Sequence, residues 1–285
     1  MKIFTKVLLL LFLLSEVTFA DVGKVKGKLF GSLENFMNEN FENTDFKIKA
    51  TESNNDNPEI SIQTLQPIFD RNNELTFFQG SFFMHDEDRE TLNLGIGTRI
   101  LTEDENFILG FNTFYDNEFD YGHKRFGWGT EIKSSILELN TNTYYAHSGT
   151  NIGKNNVEET ALDGYDIEIG SHAPFIPSLR FYTKFLRFDV PNGQDIQGLE
   201  YKSEFAVPNT GFILEVGRTD FSKIEGEWFY GIKYSLNKNK NKPREKFIKN
   251  KAYENISMKS RMYERVRREN IIIKDTSFKV QAGGF

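Results

Sequence analysis

Few side chains in this sequence could carry out catalysis. There are four histidines, His85, His123, His147 and His172, and no cysteine. Without cysteine there can be no thiolate nucleophile, no thiolate metal ligand and no disulfide framework. His147 is followed by Ser148, but sequence neighbours do not make a catalytic dyad, and no Gly-x-Ser-x-Gly motif occurs. His85 and His123 fall at a predicted strand end and in a predicted turn, so we interpret both as polar rim residues.

Two short acidic runs, residues 86–88 and 103–105, contain the oxygen ligands that calcium prefers. Each run falls in a predicted turn, where a solvated acidic cluster is the simpler interpretation. No nucleotide-binding loop and no metal-ligand spacing is present. We therefore expect no catalytic residue, no metal site and no cofactor. The protein is predicted not to be an enzyme, and we identify neither a small-molecule substrate nor a nucleic-acid partner.

The elements that carry these side chains are strands whose polarity alternates. In residues 91–100 every second residue is Leu92, Leu94, Ile96, Thr98 or Ile100, and the residues between them include asparagine, glycine and arginine. The same period of two recurs in residues 107–116, 125–133 and 137–145. One face of each strand is apolar, while the other carries glycine, amide and charge where a soluble barrel would keep its core. This pattern is typical of a β-barrel that is surrounded by lipid.

About twelve such segments lie between residues 45 and 236, and an even number of strands is the rule for bacterial outer-membrane barrels. The predicted fold is therefore all-β, a transmembrane antiparallel β-barrel of about 12 strands. Pro67 interrupts its segment and suits a bulge or a strand end better than a strand centre. The long polar stretch 148–162 is expected to be a loop on the outer side of the membrane.

The alternation also assigns side chains to the two faces of the barrel. A lumen with both signs of charge predicts a lattice of ion pairs that fills the lumen, rather than a charge-selective pore. We expect Leu94→Arg to be costly and Gly97→Ser, on the lumen side, to be mild. The predicted lumen-lining residues are Arg99, Arg125, Glu131, Lys133, Glu168, Arg180, Lys184, Glu200, Lys202, Glu204 and Lys233. The predicted lipid-facing residues are Leu92, Leu94, Ile96, Leu109, Phe111, Trp128, Leu139, Tyr230 and Ile232.

The N-terminal region predicts export. A basic start, the apolar run 7–14 and a small residue at Ala20 indicate a signal peptide of residues 1–20 that is cleaved after Ala20. Residues 21–44 are predicted to form a periplasmic segment, in which 24–40 have the apolar spacing of a short amphipathic helix. The expected location is the cell outer membrane.

The C-terminal region 237–285 is a basic tail. It contains 14 Lys+Arg and 5 Asp+Glu, a net charge of +9; the rest of the chain then has 35−14=21 basic and 41−5=36 acidic residues, a net charge of −15. One interpretation is a solvated basic helix at the periplasmic face. The other is a linker, residues 248–273, that is lodged in the acidic lumen, where opposite charge lowers the cost of insertion. The preceding strand ends with alternating apolar residues, and Gly231, Tyr234 and Leu236 are the predicted assembly signal.

Several of these blocks together resemble the β-domain of the inverse autotransporters, the intimin and invasin family. They are LGIGTR at 94–99, LGFNTFYD at 109–116, KRFGWGTE at 124–131 and RMYERVRRENIII at 261–273. The resemblance implies a twelve-stranded outer-membrane barrel whose linker returns through the pore to an exported adhesive passenger. It also implies lipid and lipopolysaccharide as surroundings, and the barrel-assembly machinery and periplasmic chaperones as partners.

The sequence departs from this family pattern in two places. We see no peptidoglycan-binding module before the barrel and no passenger domain after residue 273. The expected function is therefore that of a membrane anchor or translocator without an adhesive passenger. The alternative is a porin-like channel for small solutes that the C-terminal tail plugs.

Overall fold

The fold is a closed barrel of twelve antiparallel strands, as the period-2 segments predict. The computed structural model describes residues 43–52, 57–86, 89–191, 193–222, 224–236 and 247–277. The predicted signal peptide with its cleavage at Ala20 and the predicted helix 24–40 lie outside the described residues. No helix among those that are described is long and apolar enough to cross a membrane.

Twelve of the fifteen described strands form the barrel, and the other three form a small separate sheet. The barrel strands are β1 Thr44–Thr51, β2 Glu59–Arg71, β3 Glu74–His85, β4 Arg89–Leu101, β5 Phe107–Glu118, β6 Lys124–Ser134, β7 Leu137–Ala146, β10 Gly164–Ala173, β11 Ile176–Phe188, β12 Ile196–Ala206, β13 Phe212–Phe221 and β14 Ile224–Leu236. The cap sheet consists of β8 Thr150–Ile152, β9 Glu158–Ala161 and β15 Lys274–Ser277, in the order β15-β9-β8.

The barrel closes between its first and last strands. β1 and β14 pair antiparallel from Thr44 opposite Leu236 to Thr51 opposite Phe229. We call the end of the barrel where β1 begins and β14 ends the terminal end, and the opposite end the distal end. The connection between β7 and β10 is at the distal end, and it contains two strands of the cap sheet. The region 148–162, predicted as a loop, is thus partly a hairpin whose strands were not predicted.

Alternating burial along the strands separates the two faces of the wall. In β6 every second residue is buried and the others are exposed. The residues predicted to face lipid lie on the exposed side; the side chains of Ile96, Phe111 and Ile232 are 55%, 51% and 56% exposed. Leu92 and Leu139 lie on the same side with intermediate burial. The outer surface is therefore a continuous apolar belt, and the polar residues point inward.

Six inward aromatic rings each pack over a glycine directly across the strand pair. Phe114, for example, lies over Gly95, and Tyr182 lies over Gly170. A Cβ atom at Gly95 would be 2.4 Å from the Phe114 ring, so only glycine allows the ring to lie flat on the wall. The other pairs are Phe77 with Gly97, Phe188 with Gly164, Phe221 with Gly198 and Phe229 with Gly217.

One of these pairs overturns the expectation that Gly97→Ser is mild. A Cβ atom at Gly97 would lie 2.5 Å from the Phe77 ring and 2.9 Å from the backbone oxygen of Phe111. The backbone atom cannot move aside without distorting the strand pair. Facing the lumen is therefore not sufficient for tolerance. The bulge expected at Pro67 is confirmed, because the register between β2 and β3 shifts between Pro67 and Phe69.

Candidate functional site: a linker inside the barrel

The described part of the C-terminal tail runs through the barrel from the terminal end to the distal end. At the terminal end, the amide of Met258 donates to the carbonyl of Glu105 in the β4–β5 turn. At the distal end, β15 pairs with β9 of the cap sheet. We call residues 258–273 the linker. The linker contains one 3-10 turn, Met258–Arg261, and no α-helix; this agrees with the linker interpretation of the tail and not with the helical one.

The preceding residues 247–257 cross the terminal end and do not enter the lumen. The amide of Lys249 donates to the carbonyl of Phe175, and the amide of Phe175 donates to the carbonyl of Ala252. Ile248 is 59% exposed. The segment predicted to occupy the lumen began at Ile248, so the structure moves its start to about Met258.

An apolar cluster fixes the part of the linker nearest the terminal end against one side of the barrel wall. Met258, Met262 and Val266 are buried at 0%, 5% and 4% exposure. They pack against side chains of β2, β3, β4 and β5, on the barrel wall that the linker follows. Burial of each such side chain contributes about 1.5–3 kcal/mol. The wall side of this cluster consists of Leu65, Leu75, Phe77, Leu101, Ile108 and Phe114.

Barrel side chains bind the backbone of the linker directly. Nη1 of Arg99 donates to the carbonyls of Met262 and Glu264, at 2.5 and 2.6 Å. The guanidinium of Arg125 donates to the carbonyls of Glu269 and Ile271, at 2.7 and 3.2 Å. An extended chain has unpaired backbone groups that must find partners when they are buried. In this lumen, wall arginines supply those partners.

Three amide side chains extend this recognition of the linker backbone. Nδ2 of Asn142 donates to the carbonyl of Arg267 and Nδ2 of Asn93 to that of Asn270, both at 3.0 Å. The amide of Val266 donates to Oε1 of Gln79 at 2.9 Å. The wall thus contacts main-chain groups along much of the length of the linker.

Two linker arginines make buried ion pairs with the wall. Arg268 donates to both oxygens of Asp116, at 2.8 and 2.7 Å, and the Asp116 side chain is fully buried. Its guanidinium lies 4.3 Å from the centre of the Phe114 ring. Arg267 pairs with Glu168 and, at 2.8 Å, with Glu204. Bidentate and charge-assisted contacts of this kind are the strongest hydrogen bonds available to a side chain.

The residues predicted to line the lumen lie on the inner face of the wall, and most of them pair with one another. Arg99 pairs with Glu131, Lys184 pairs with Glu200 at 3.4 Å, and Lys133 pairs with Glu131 at 2.9 Å. Further contacts are Arg125 with Asp116, Arg180 with Glu138, Lys202 with Glu168, Glu200 and Glu204, and Lys233 with Glu215. The predicted ion-pair lattice is present.

The lattice and the linker together do not fill the lumen. A cavity of about 1590 Å³ lies beside the linker, bordered by β1 and β10 to β14. Its lining carries both signs of charge, including Lys47 and Glu215, which form an ion pair at 2.5 Å. The linker thus packs against one side of the barrel and leaves a cavity beside it.

A second polar cluster joins the cap sheet to the barrel at the distal end. Nζ of Lys274 lies 2.6 Å from Oε2 of Glu118, and Arg89 bonds Glu118 at 2.7 Å and Glu159 at 2.5 Å. Burial on its own would raise the pKa of Glu159, but the contacts with Arg89 outweigh it and lower that pKa. His123 completes this cluster.

Two of the four histidines, His85 and His123, do not have the solvated environment that was predicted for them. His123 is 0% exposed and His85 is 5% exposed, so neither is a solvated rim residue. Burial, followed by the nearby ammonium of Lys274, lowers the pKa of His123 below its ordinary value of 6.5. The rings of His172 and Tyr253 contact each other at a tilted angle, and His147 packs beside Phe126.

The acidic run 103–105 lies in a turn that is closed by hydrogen bonds to one of its own side chains, Asp104. Oδ1 of Asp104 accepts from the Thr102 hydroxyl and from the Asn106 amide, and these hydrogen bonds lower the pKa of Asp104. Glu105 accepts from the hydroxyl of Ser257, just before the linker. This turn therefore helps to seat the linker at the terminal end.

A family model and curated relatives match this sequence. The family described as "Inverse autotransporter, beta-domain" matches residues 20–270. Invasin of Yersinia enterocolitica is 30% identical over 132 residues, which are 46% of this chain and 15% of that protein. The putative attaching and effacing protein homolog of Escherichia coli strain K12 is 31% identical over 121 residues, 42% of this chain and 40% of that protein. The matched stretch thus spans less than half the length of either relative.

A solved structure shares the fold. A chain from a study of the in-meso crystallization of membrane proteins superposes with a TM-score of 0.69 at 20% identity. The match covers 82% of this chain and 99% of that chain. At this level of identity the similarity concerns the fold alone.

Proposed function

Because the chain belongs to the inverse autotransporter β-domain family, whose model matches residues 20–270, we propose that it anchors and exports polypeptide in the cell outer membrane. The protein is a barrel of the outer membrane, surrounded by membrane lipid, and its family is not an enzymatic one. In this proposal the distal end faces the outside of the cell. The linker then carries the chain from the periplasmic side to the surface and holds it there.

The observation that carries this proposal is the bound path of the linker. A peptide that only blocked a pore would need contacts with the wall at a single depth in the lumen. This linker is held at the terminal end by Met258, inside the lumen by Arg99 and Arg125, and at the distal end by Lys274. Its contacts therefore extend from one mouth of the barrel to the other. A chain that is held in place while it crosses the membrane requires contacts of this extent.

The experiment is the exposure of an epitope tag that follows Phe285 in the full chain. We expect intact cells to bind the antibody and external protease to remove the tag. A matched control has the same tag inserted in the β12–β13 turn at Asn209, which is exposed at the terminal end and should stain only after the outer membrane is permeabilised. If the C-terminal tag stained only in permeabilised cells, the proposed path to the surface would be wrong.

A second candidate function, a channel for small solutes, is supported by the cavity of about 1590 Å³ beside the linker. The test is conductance in a planar bilayer, measured for the full chain and for a chain that ends at Leu236. Removing the linker should leave the barrel folded, because β14 already pairs with β1, and should raise the conductance. A truncated barrel that folds and conducts no better than the full chain would eliminate the idea that the tail plugs a channel.

We propose further that β14 carries the signal for barrel assembly. Gly231 is followed by Ile232, Tyr234 and Leu236 at alternate positions of the last strand, and that strand closes the barrel. Its partners would be the barrel-assembly machinery and periplasmic chaperones, and the outward-facing apolar belt would contact lipid and lipopolysaccharide. Replacing Tyr234 and Leu236 with serine should then reduce the amount of barrel in the outer membrane more than replacing Tyr230, which is 54% exposed in the middle of the strand.

A further inference from the structure

The distal cluster contains three side chains that the proposed function does not use as such. They are Glu118 at the end of β5, His123 in the β5–β6 turn and Glu159 in β9 of the cap sheet. We propose that these three side chains form a site for a divalent cation of the zinc type, and that the ammonium of Lys274 competes with the cation for this site.

The donor set and its spacing fit such an ion. Each residue offers one ligand atom, and the three atoms all lie within 4.8 Å of one another. Imidazole nitrogen and carboxylate oxygen are both zinc ligands, with bonds of about 2.0–2.2 Å. Donors at that distance in a tetrahedral site are roughly 3.5 Å apart, so small side-chain rotations would close the site. All three side chains are buried.

An unpartnered nitrogen aimed into the cluster is the independent observation. Nε2 of His123 has no hydrogen-bond partner although the residue is 0% exposed. It lies 3.3 Å from Oε2 of Glu159. On the other side of the ring, Nδ1 lies 3.4 Å from the hydroxyl of Ser148, a contact of the kind that orients histidine ligands. The imidazole is therefore held with a free ligand atom toward two carboxylates.

The backbone around the cluster keeps these donors in place. The amide of Glu118 donates to the carbonyl of His123 at 2.8 Å, which closes the turn between them. Glu159 lies over Gly153, where a Cβ atom would be 2.1 Å from the Glu159 carboxyl carbon. The glycine thus leaves the space that the Glu159 side chain occupies.

Charge explains why Lys274 and the cation exclude each other. Arg89 and Lys274 neutralise the two carboxylates, so the cluster carries no net charge with a neutral His123. A dication added to this arrangement would leave two excess positive charges, whereas a dication in place of Lys274 would leave one. The oxygen that it would bind on Glu118, Oε2, is the one that Lys274 occupies. Cation binding and the ion pair between Lys274 and Glu118 are therefore alternatives.

The test uses the folded full chain in detergent, purified without a histidine tag, and Co²⁺ as a spectroscopic probe. The variants are wild type, Lys274→Met, Lys274→Met with His123→Gln, and Lys259→Met as a control at an exposed linker lysine. We expect Lys274→Met to bind Co²⁺ at least tenfold more tightly than wild type, with the visible absorption of a site of low coordination number. The control should bind as wild type does, and the added His123→Gln should abolish the gain.

Each other result would overturn the inference. Equal affinity of wild type and Lys274→Met would remove the competition, and tight binding that survives His123→Gln would remove the site. If the His123→Gln barrel fails to fold, as judged by heat-modifiable mobility on a gel, Glu159→Gln in the Lys274→Met background replaces it. Tight Co²⁺ binding that survives Glu159→Gln would then remove the site.

Discussion

Replacing Arg268 with methionine should release the linker from the middle of the barrel. The side chain of Asp116 is fully buried and that of Arg268 is 1% exposed, and two hydrogen bonds of 2.8 and 2.7 Å join them. Removing one partner of a buried ion pair costs about 3–5 kcal/mol, because the other charge is left uncompensated. Asp116 would keep its 2.8 Å contact with Arg125, so the lower limit of that range applies. We expect about 3 kcal/mol.

Hydrogen exchange of the linker amides, measured by mass spectrometry on the folded barrel, reports the free energy of linker release. The amides of Val266 and Glu269 donate to Gln79 and Tyr144 of the wall, and they can exchange only when the linker leaves. A loss of about 3 kcal/mol corresponds to roughly 100-fold faster exchange, since 1.4 kcal/mol is tenfold. Arg187→Met is the matched control, because Arg187 is 43% exposed and pairs with Asp195 away from the linker.

Two results would refute this reasoning. If linker exchange in Arg268→Met were within about threefold of wild type, the pair with Asp116 would not hold the linker. If Arg187→Met accelerated linker exchange as much as Arg268→Met, the effect would come from the barrel as a whole. Arg268→Met combined with Asp116→Asn should not recover the loss, because the buried guanidinium of Arg125 then loses the carboxylate with which it pairs.

Three further perturbations test other parts of the structure. Arg99→Lys keeps the charge but not the planar fork that bridges Met262, Glu264 and Glu131, so exchange around residue 264 should accelerate by roughly 10-fold or more; unchanged exchange would mean that charge alone is sufficient. Phe111→Arg, in the middle of β5, should destabilise the barrel by about 2–4 kcal/mol in urea unfolding, and Phe107→Arg at the end of the same strand by about 0–1 kcal/mol; equal losses would mean that the membrane is not where the apolar belt places it. Gly95→Val should cost about 1–3 kcal/mol by displacing the Phe114 ring, whereas Gly149→Ala, with no atom within 4 Å, should be neutral in the same assay.

The strands could be predicted from the sequence because lipid and lumen impose opposite demands on successive residues. Residues 125–133 alternate without exception, and the observed strand, Lys124–Ser134, extends that segment by one residue at each end. Inward charges such as Lys133 and Glu131 could be assigned to a lattice for the same reason. The bulge at Pro67 followed from its missing amide hydrogen.

The parts that escaped prediction depend on contacts between distant segments. Asn93 and Asn142 were recognisable as inward-facing, but nothing local indicates that they bind the carbonyls of residues about 125 or more positions away. The cap sheet needs β15, which pairs with β9 only after the linker has crossed the barrel. The spacing of Met258, Met262 and Val266 is helical, yet this segment packs without an α-helix because wall side chains satisfy its backbone.

The glycine–aromatic pairs have a consequence for how sequences of this family should vary. Gly170 lets Tyr182 lie flat, and the guanidinium of Arg267 lies 3.6 Å from the centre of that ring. Gly95, Phe114 and Arg268 form the same three-layer stack on another part of the wall. In each stack the glycine determines how far the aromatic ring lies from the wall, and the ring determines how far the arginine guanidinium lies from it. Glycine and arginine should therefore co-vary, and barrels whose linkers have lost the arginine should be free to place larger residues at the glycine.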